Sequence, residues 1–356
     1  MKKVALFGST GSIGKMTLEL IESFKEDFHV HSLVAQKSTD LMIEQALKFR
    51  PSLVVLFEEN EARKAREVLS VPVFSGKEGL LRALEGADVM VQAMASTIGI
   101  EATIEAAKKK IPIAIANKET IIAAYSLIKP FHPILRPIDS EHSSLFKLYQ
   151  NQRPIKATIT GSGGPFLNRS IKEFSAITLK EALSHPNWSM GVHNTINSST
   201  MFNKALEVME AYYLFGEAPL AMIEPTSRIH AFAEYEDGMT QFLAYEPDMR
   251  VPILHALGFD KVYPFPFKKQ LDFRPIEFLP IDVERFPLFP LAYDALQKEG
   301  APLSLMFLNE FLVEDFLKGR LGWLDMQQKL LKGYASLPQF SIDSIEAIEE
   351  LKKITK

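Results

Sequence analysis

The chain has 356 residues with 24% charged, 47% hydrophobic and a formal net charge of −4, which is the balance of a folded chain too long for one ordinary core, so two or three domains are expected. That charge argues against a general binder of nucleic acid or anionic membrane. It contains no cysteine, which excludes disulfides, thiolate metal sites and cysteine nucleophiles.

The opening MKKVALFGSTG has a basic start, but its apolar run is too short for a secretory signal. No stretch reaches the roughly eighteen apolar residues of a spanning helix. A soluble, cytoplasmic protein is expected.

Over residues 1–147, VALF at 4–7, VHSLVA at 30–35, LVVLF at 53–57, VPVF at 71–74, VMVQA at 89–93 and PIAIA at 112–116 alternate with helix-periodic segments. This is the pattern of an α/β domain, a parallel sheet with crossover helices. Residues 148–261 read as an α+β domain. In it, IKATITG is a strand, 184–194 a lid loop, Thr200 to Phe215 a helix, and RIHAFAEYEDGMTQFLAYE a hairpin turning at Asp237-Gly238. The proline-rich stretch 262–290 reads as a linker laid as a strap over a surface. Residues 291–356 read as a C-terminal helical bundle with breaks at Gly300, Gly319, Gly333 and Pro338.

The first strand runs into Gly8-Ser-Thr-Gly11-Ser-Ile-Gly14 and a helical KMTLELIESF, the strand, glycine loop and helix of a Rossmann-like dinucleotide site. Glycines let backbone approach a pyrophosphate, and the helix N-terminus attracts its charge. A tight turn opening an α/β domain is the alternative. After the second strand stands Ala35-Gln36-Lys37-Ser38 in place of the acid that would hold a ribose hydroxyl. A carboxylate there repels a 2′-phosphate and a lysine attracts one, so NADPH is favoured over NADH.

Ala116-Asn117-Lys118-Glu119 follows PIAIA at the carboxyl edge of the sheet, where it can face nicotinamide and substrate. As a plain helix start, Asn117 is a cap and Glu119 a first-turn acid. Arg136-Pro-Ile-Asp139-Ser140-Glu141-His142 raises the same choice. If extended, Asp139 and Glu141 point to one side and can grip a hard cation such as magnesium or manganese. Otherwise Asp139 or Ser140 caps a helix. In STMFNKALE, the side chains of Asn203, Lys204 and Glu207 share one helical face, which can add a third carboxylate and donors for an anion. His185-Pro-Asn-Trp188-Ser-Met-Gly191 suits a closing lid or a Trp-pinned loop, and Gly161-Ser-Gly-Gly164 a phosphate nest or a flexible turn.

In order, GSTGSIG, ANKE, DSEH, TGSGGPF, HPNWSMG, STMFNKALE and EYEDGMTQFLAYEPDMRVPILHAL resemble the 1-deoxy-D-xylulose 5-phosphate reductoisomerase family over most of the chain. The resemblance implies an NADPH- and metal-dependent enzyme that rearranges and reduces a phosphorylated sugar to 2-C-methyl-D-erythritol 4-phosphate for isoprenoid biosynthesis, acting as a homodimer through its catalytic domain. It implies Asp139, Glu141 and Glu207 as ligands of magnesium, manganese or cobalt. Ser140 and Lys118 match contacts to substrate hydroxyls. Ser162, His185, Ser198, Asn203 and Lys204 match phosphate contacts, and Trp188 and Met190 belong to the lid. Gly8, Thr10, Gly11, Ser12, Ile13, Gln36, Lys37, Asn117, Glu119 and Gly191 fall at the cofactor.

The chain departs from the family pattern at Val192-His193-Asn194, where most members carry a basic pair, and at Thr195 and Asn197, where Ser and Asp are usual. Gln36 replaces a small Gly, and Glu224-Pro-Thr-Ser-Arg-Ile-His-Ala231 replaces a common HPQSIVHS. Two other readings fit parts of the pattern: a metal-independent two-domain NAD(P)-dependent dehydrogenase, whose turnover would survive a chelator, and a non-catalytic NADPH-binding sensor.

Overall fold

A computed structural model of the chain describes residues 1–356 apart from 95–96, 151, 189–190, 259–260, 268–270, 272–274 and 338. The expectations for Met190 and Pro338 therefore lie outside the described residues. The chain divides into two compact units, Met1–Ser143 with Asp248–Lys268, and Ser144–Pro247 with Lys269–Lys356.

In the first unit the chain runs β1 (Lys2–Phe7), α1 (Ser12–Ser23), β2 (Phe28–Ala35), α2 (Thr39–Phe49), β3 (Leu53–Leu56), α3 (Glu59–Arg66), β4 (Val73–Phe74) and α4 (Gly76–Arg82). It continues with β5 (Val89–Gln92), α5 (Ile100–Lys108), β6 (Ile113–Ile115), α6 (Lys118–Ile128), β7 (Leu135–Pro137) and the start of α7 (Ser140–Leu148). The strands form one parallel sheet in the order β4-β3-β2-β1-β5-β6-β7. Each strand expected from its apolar run is present, and β7 is added. Val4, Leu6, Val30, Leu33, Val54, Leu56, Val89 and Val91 are buried against Leu18, Ile21 and Met42; such nearly continuous apolar strands are what a sheet covered on both faces requires. The order reverses at β1, which pairs with β2 on one side and β5 on the other. Ligands of open parallel sheets bind in the crevice beyond the strands' carboxyl ends at such a reversal.

The second unit contains β8 (Lys156–Gly161), α8 (Leu179–Ala182), α9 (Val192–Ser199), α10 (Phe202–Phe215), β9 (Leu220–Ile223), β10 (Ile229–Glu234) and β11 (Thr240–Ala244). Its sheet has the order β11-β10-β8-β9, with β10 antiparallel to both β11 and β8. After α11 (Arg250–Leu257) the unit resumes with α12 (Leu291–Ala295), α13 (Ala301–Leu317), α14 (Trp323–Tyr334) and α15 (Ile345–Ile354). Phe166, Phe174, Ile196, Val313, Phe316 and Trp323 form a buried cluster within it.

Several details differ from the sequence reading. α11 belongs to the first unit, because Ile253, Leu254 and Leu257 are buried in that unit's core; the single span 148–261 did not separate it. The 262–290 strap is divided as well. Tyr263, Phe265 and Phe267 pack on the first unit's core, whereas Leu279 pairs with Ile223, each N–H donating to the other's carbonyl at 2.8 Å, and Arg285 Nη1 donates to Phe166 O at 3.0 Å. The expected 184–194 loop ends early, since α9 begins at Val192 and buries Ile196. The helix read from Thr200 starts at Phe202, because Met201 adopts a left-handed backbone, φ 58°, and separates α9 from α10. Gly333 lies within α14 rather than breaking it: a Cβ there would come within 2.8 Å of Leu308 on α13, so the glycine allows the two helices to pack closely. Among the described residues no helix is long and apolar enough to cross a membrane.

Candidate active site

In the first unit the glycine loop joins β1 to α1 beside β5. Gly8 has φ +89°, and a Cβ there would overlap the Ala93 carbonyl at the end of β5, so only glycine fits. A Cβ on Gly14 would run into the Gly8 and Ser9 carbonyls, which makes Gly14 the residue that lets α1 lie close on β1. Gly11 is different. It is the N-cap of α1 with extended backbone, and a Cβ there would meet nothing nearer than Gly8 O at 3.4 Å. Thr10 and Ile13 are half-buried, while Gly11 and Ser12 are exposed at the helix start. Gln36 and Lys37 form an exposed bend just after β2.

Asn117 is the N-cap of α6. Its Oδ1 accepts from Thr120 N–H at 2.8 Å, and its Nδ2 donates to the Met94 carbonyl. Lys118, buried, extends to Asp139 with Nζ 2.9 Å from Oδ2. Glu119 stays half-buried in the first turn. The stretch around Asp139 is not extended. Ser143 N–H donates to Asp139 O at 2.8 Å and Glu141 N–H to Asp139 Oδ1 at 3.3 Å, so Asp139 caps α7 and Glu141 stands in its first turn. The extended i, i+2 geometry is thereby corrected, and the cause is the cap. Ser140, buried, donates its hydroxyl to the Glu141 carboxylate. His142 is fully buried with Nδ1 3.4 Å from Asp139 Oδ1; the sequence reading quoted this residue without giving it a part.

In the second unit, β8 ends in the Gly161–Gly164 loop. Ser162 Oγ lies 3.2 Å from His185 Nε2 and accepts Gly164 N–H at 3.1 Å. His185 Nδ1 accepts the backbone N–H groups of Asn187 at 3.1 Å and Trp188 at 2.9 Å, which assigns the ring proton to Nε2. Burial pushes the His185 pKa down to about 4, and the two N–H donors on Nδ1 further oppose a second proton. Gly164, with φ +67°, lies so close to α9 that a Cβ would come within 2.6 Å of the Ser198 carbonyl. A Cβ on Gly161 would come within 2.8 Å of Lys204 Cε, so the Lys204 side chain passes over this loop. Lys204 pairs with Glu207 one turn along α10, and Asn203 donates to the same carboxylate. Ser198, Lys204 and Glu207 are all buried. One glycine loop thus has a hydroxyl, an imidazole N–H and an ammonium beside it, from Ser162, His185 and Lys204, groups of the kind that bind a phosphate.

The segment after His185 is tied down at its base. Asn187 Nδ2 donates to Pro225 O at 2.8 Å and to Ser227 Oγ at 2.9 Å. Trp188 is half-buried, its ring 6.3 Å from that of His230, which in turn stacks on Tyr245 at 3.9 Å. The turn receiving Asn187 is built on the buried Glu224, whose carboxylate accepts the N–H groups of Thr226, Arg228 and Ile229. The divergent 224–231 stretch therefore supports the segment after His185. Gly191 caps α9 with open space where a Cβ would be. Val192-His193-Asn194 forms the first turn of α9, with His193 Nε2 2.9 Å from Glu314 Oε1 of α13, and Asn197 accepts from Asn309 Nδ2 at 2.8 Å.

Three family models match the chain: 1-deoxy-D-xylulose 5-phosphate reductoisomerase over residues 4–125, the C-terminal domain of that enzyme over 135–215, and the DXP reductoisomerase C-terminal domain over 245–356. A relative from Chlamydia caviae, a 1-deoxy-D-xylulose 5-phosphate reductoisomerase, is 37% identical over 373 aligned positions that cover 98% of each chain. The solved structure of the Zymomonas mobilis enzyme of that name, in complex with NADPH, matches with a TM-score of 0.93 at 30% identity over 99% of this chain and 97% of that one. A DOX-P reductoisomerase in complex with NADPH, fosmidomycin and magnesium matches with a TM-score of 0.90 at 29% identity over 100% and 96%.

Proposed function

The chain belongs to the 1-deoxy-D-xylulose 5-phosphate reductoisomerase family, and on that footing we infer how its own residues divide the family's reaction, the NADPH- and metal-dependent conversion of 1-deoxy-D-xylulose 5-phosphate to 2-C-methyl-D-erythritol 4-phosphate. Thr10, Gly11, Ser12 and Ile13 over Gly8 would hold the cofactor's pyrophosphate, Lys37 and Gln36 its 2′-phosphate, and Asn117, Glu119 and Gly191 would also line its site. Asp139, Glu141 and Glu207 hold the divalent cation. Their donors fit it: all are carboxylate oxygens, the chemistry that hard magnesium or manganese prefers, and an ammonium balances the charge at two of them, Lys118 on Asp139 and Lys204 on Glu207.

When bound, the cation polarises the substrate's ketone and adjacent hydroxyl, and NADPH supplies the hydride. The residues of the chain position and shield. Lys118 and Ser140 orient the sugar hydroxyls. Ser162, neutral His185, Ser198, Asn203 and Lys204 bind the phosphate away from the reacting carbons, so that binding energy goes into orientation and closure. Trp188 and Met190 exclude water when the segment closes.

The observation carrying this reading is the buried Lys204–Glu207 pair beside the Gly161–Gly164 loop, with Ser162 and His185 joined on it. A phosphate cradle and an acidic ligand then share the first two turns of one helix. A homodimer in the cytoplasm belongs to the same reading. It is supported by the edge strand β11, where Phe242 is 49% exposed and packs with Phe232 and Phe278, the kind of apolar patch an interface covers; sedimentation at two concentrations tests it.

The test of the whole is NADPH absorbance with purified protein and 1-deoxy-D-xylulose 5-phosphate, with magnesium or manganese and then after EDTA. Oxidation requiring both sugar and ion is expected. Turnover that survives EDTA would replace the reading with a metal-independent dehydrogenase, and NADPH binding without turnover would replace it with a sensor.

A further inference from the structure

Beyond the glycine loop and the residues matched to the family, a buried amide stands at the same sheet reversal. Gln92 is the last residue of β5, paired in register with Phe7 of β1 and Ile115 of β6. It therefore stands between the strand leading to Gly8 and the strand leading to Asn117. Its side chain is fully buried, and it is not idle there. Nε2 donates to Gly99 O at 3.0 Å and to Thr103 Oγ1 at 3.1 Å, and Oε1 accepts Met94 N–H at 3.1 Å. Thr103 closes the set by donating to Gly99 O at 2.8 Å.

Met94 is thus held at both ends of its backbone, its N–H by Gln92 and its carbonyl by Asn117. It also forms part of the wall behind the glycine loop, since a Cβ on Gly8 would overlap the Ala93 carbonyl and come within 2.9 Å of Met94 N. Gly99 completes the arrangement: a Cβ there would occupy the place of the Gln92 amide, so the glycine and the glutamine require each other. An apolar residue would fill a buried strand position without needing partners, whereas a buried amide is tolerated only when its groups are bonded. What the amide adds is a fixed position for Met94 against Gly8.

We propose that Gln92 is a positioning residue for the cofactor: it sets the wall of the crevice over Gly8, so that the loop meets the dinucleotide in one geometry. The bonds of Gln92 go to Gly99, Thr103 and Met94, none of them matched to substrate or metal, and its effect passes through Met94 and Asn117. The proposal rests on the assignment of NADPH to the glycine loop.

The test compares Gln92→Met, which keeps volume and removes all three bonds, with Gly99→Ala, which displaces the amide while leaving Gln92 in the chain. NADPH Kd is read by fluorescence titration, and KM for NADPH and for 1-deoxy-D-xylulose 5-phosphate by steady-state turnover. Both variants should raise NADPH Kd and KM by about tenfold, the scale of one lost hydrogen bond, with the sugar KM within about twofold of wild type. Thr103→Val leaves the bonds to Met94 and Gly99 O and should move NADPH Kd by no more than about threefold. A Gln92→Met protein that binds NADPH as wild type does, or whose sugar KM moves as far as its NADPH KM, overturns the proposal. Gly11→Asp serves as the control on the premise: if it too leaves NADPH binding unchanged, the cofactor assignment fails and not the role of Gln92 alone.

Discussion

Gly11→Asp separates what the glycine loop does for the fold from what it does for the cofactor. Gly11 has φ −78° and ψ 176° at the N-cap of α1, backbone that any residue adopts, and the nearest heavy atom to an added Cβ is Gly8 O at 3.4 Å. Aspartate is among the best N-caps and differs from glycine there by only a few tenths of a kcal/mol, so the free protein should melt where wild type does or slightly higher. The pyrophosphate is affected otherwise. The carboxylate cancels the roughly +0.5 charge of the helix start. At about 5 Å and an effective dielectric of about 20 it also repels each phosphate charge by about 3 kcal/mol, and half of that still weakens NADPH by about tenfold per charge. Gly14→Ala should act on the fold of the free protein first. Its Cβ falls 2.5 Å from Ser9 O, a backbone atom, so α1 must lift from β1 at a cost of about 1–3 kcal/mol, against about 1 kcal/mol regained in helix propensity. Fluorescence titration with NADPH and melting of the free protein read the two effects. A Gly11→Asp protein that binds NADPH within threefold of wild type would refute the assignment of the pyrophosphate to this loop.

Glu207→Gln should abolish magnesium-dependent turnover while sparing NADPH affinity, because an amide is a poorer ligand for a hard cation; unchanged activity in a magnesium titration would sink the metal assignment. The same change leaves the buried Lys204 ammonium without its carboxylate and should lower stability by about 3 kcal/mol in urea. Lys37→Glu, in an exposed bend, should raise the NADPH Kd far more than the NADH Kd, and equal effects would count against a 2′-phosphate contact. Gly161→Ala pushes on Lys204 Cε and should raise the sugar phosphate KM several-fold with NADPH KM unchanged; the opposite split would move Lys204 out of the phosphate site. For His185 the sign follows from its pKa of about 4 in the fold, below its ordinary value of about 6.5. Between those values the unfolded chain binds the proton and the folded one does not, so stability contributed by the neutral ring is present above about pH 6.5 and is lost as pH falls toward 4. Melting from pH 7.5 to 4.5 should show that slope in wild type and a shallower one in His185→Gln; parallel curves would contradict it.

Much of the first unit was legible because parallel strands buried on both faces must be continuously apolar, and VALF, LVVL and VMV announce themselves as such. The glycine spacing carried equal weight, since Gly8 and Gly14 are required by the backbone itself. What stayed hidden depended on distant partners. Nothing local marks α11 as returning to the first core, Gly333 as a packing glycine against Leu308, or Gln92 as the partner of Gly99. Met201's left-handed backbone, which splits α9 from α10, is equally invisible, because methionine carries no signal for it.

The instructive failure is the choice posed at Asn117 and Asp139 between helix cap and functional group. Both are caps, and neither is only a cap. Asn117 holds Thr120 N–H with one end of its amide and the Met94 carbonyl with the other, and Asp139 takes Glu141 N–H on one oxygen and Lys118 on the other. The coincidence has a physical cause. In a parallel sheet every strand leads into a helix at its carboxyl edge, so short polar side chains must gather there to satisfy free N–H groups. That same edge is where ligands reach the sheet. Residue types that end a strand and start a helix are thus also those that grip charge, and local sequence cannot separate the two roles because the fold superimposes them. Separation comes from the second bond each side chain makes, which only the tertiary structure supplies. Asn117→Asp illustrates it. The substitution keeps the cap on Thr120 but sets a carboxylate oxygen against the Met94 carbonyl in place of the amide donor, so it should lower the melting temperature of the free protein and raise the NADPH Kd by about tenfold or more. If NADPH affinity held, Asn117 would serve the fold alone, as a cap on Thr120 and a tie to Met94.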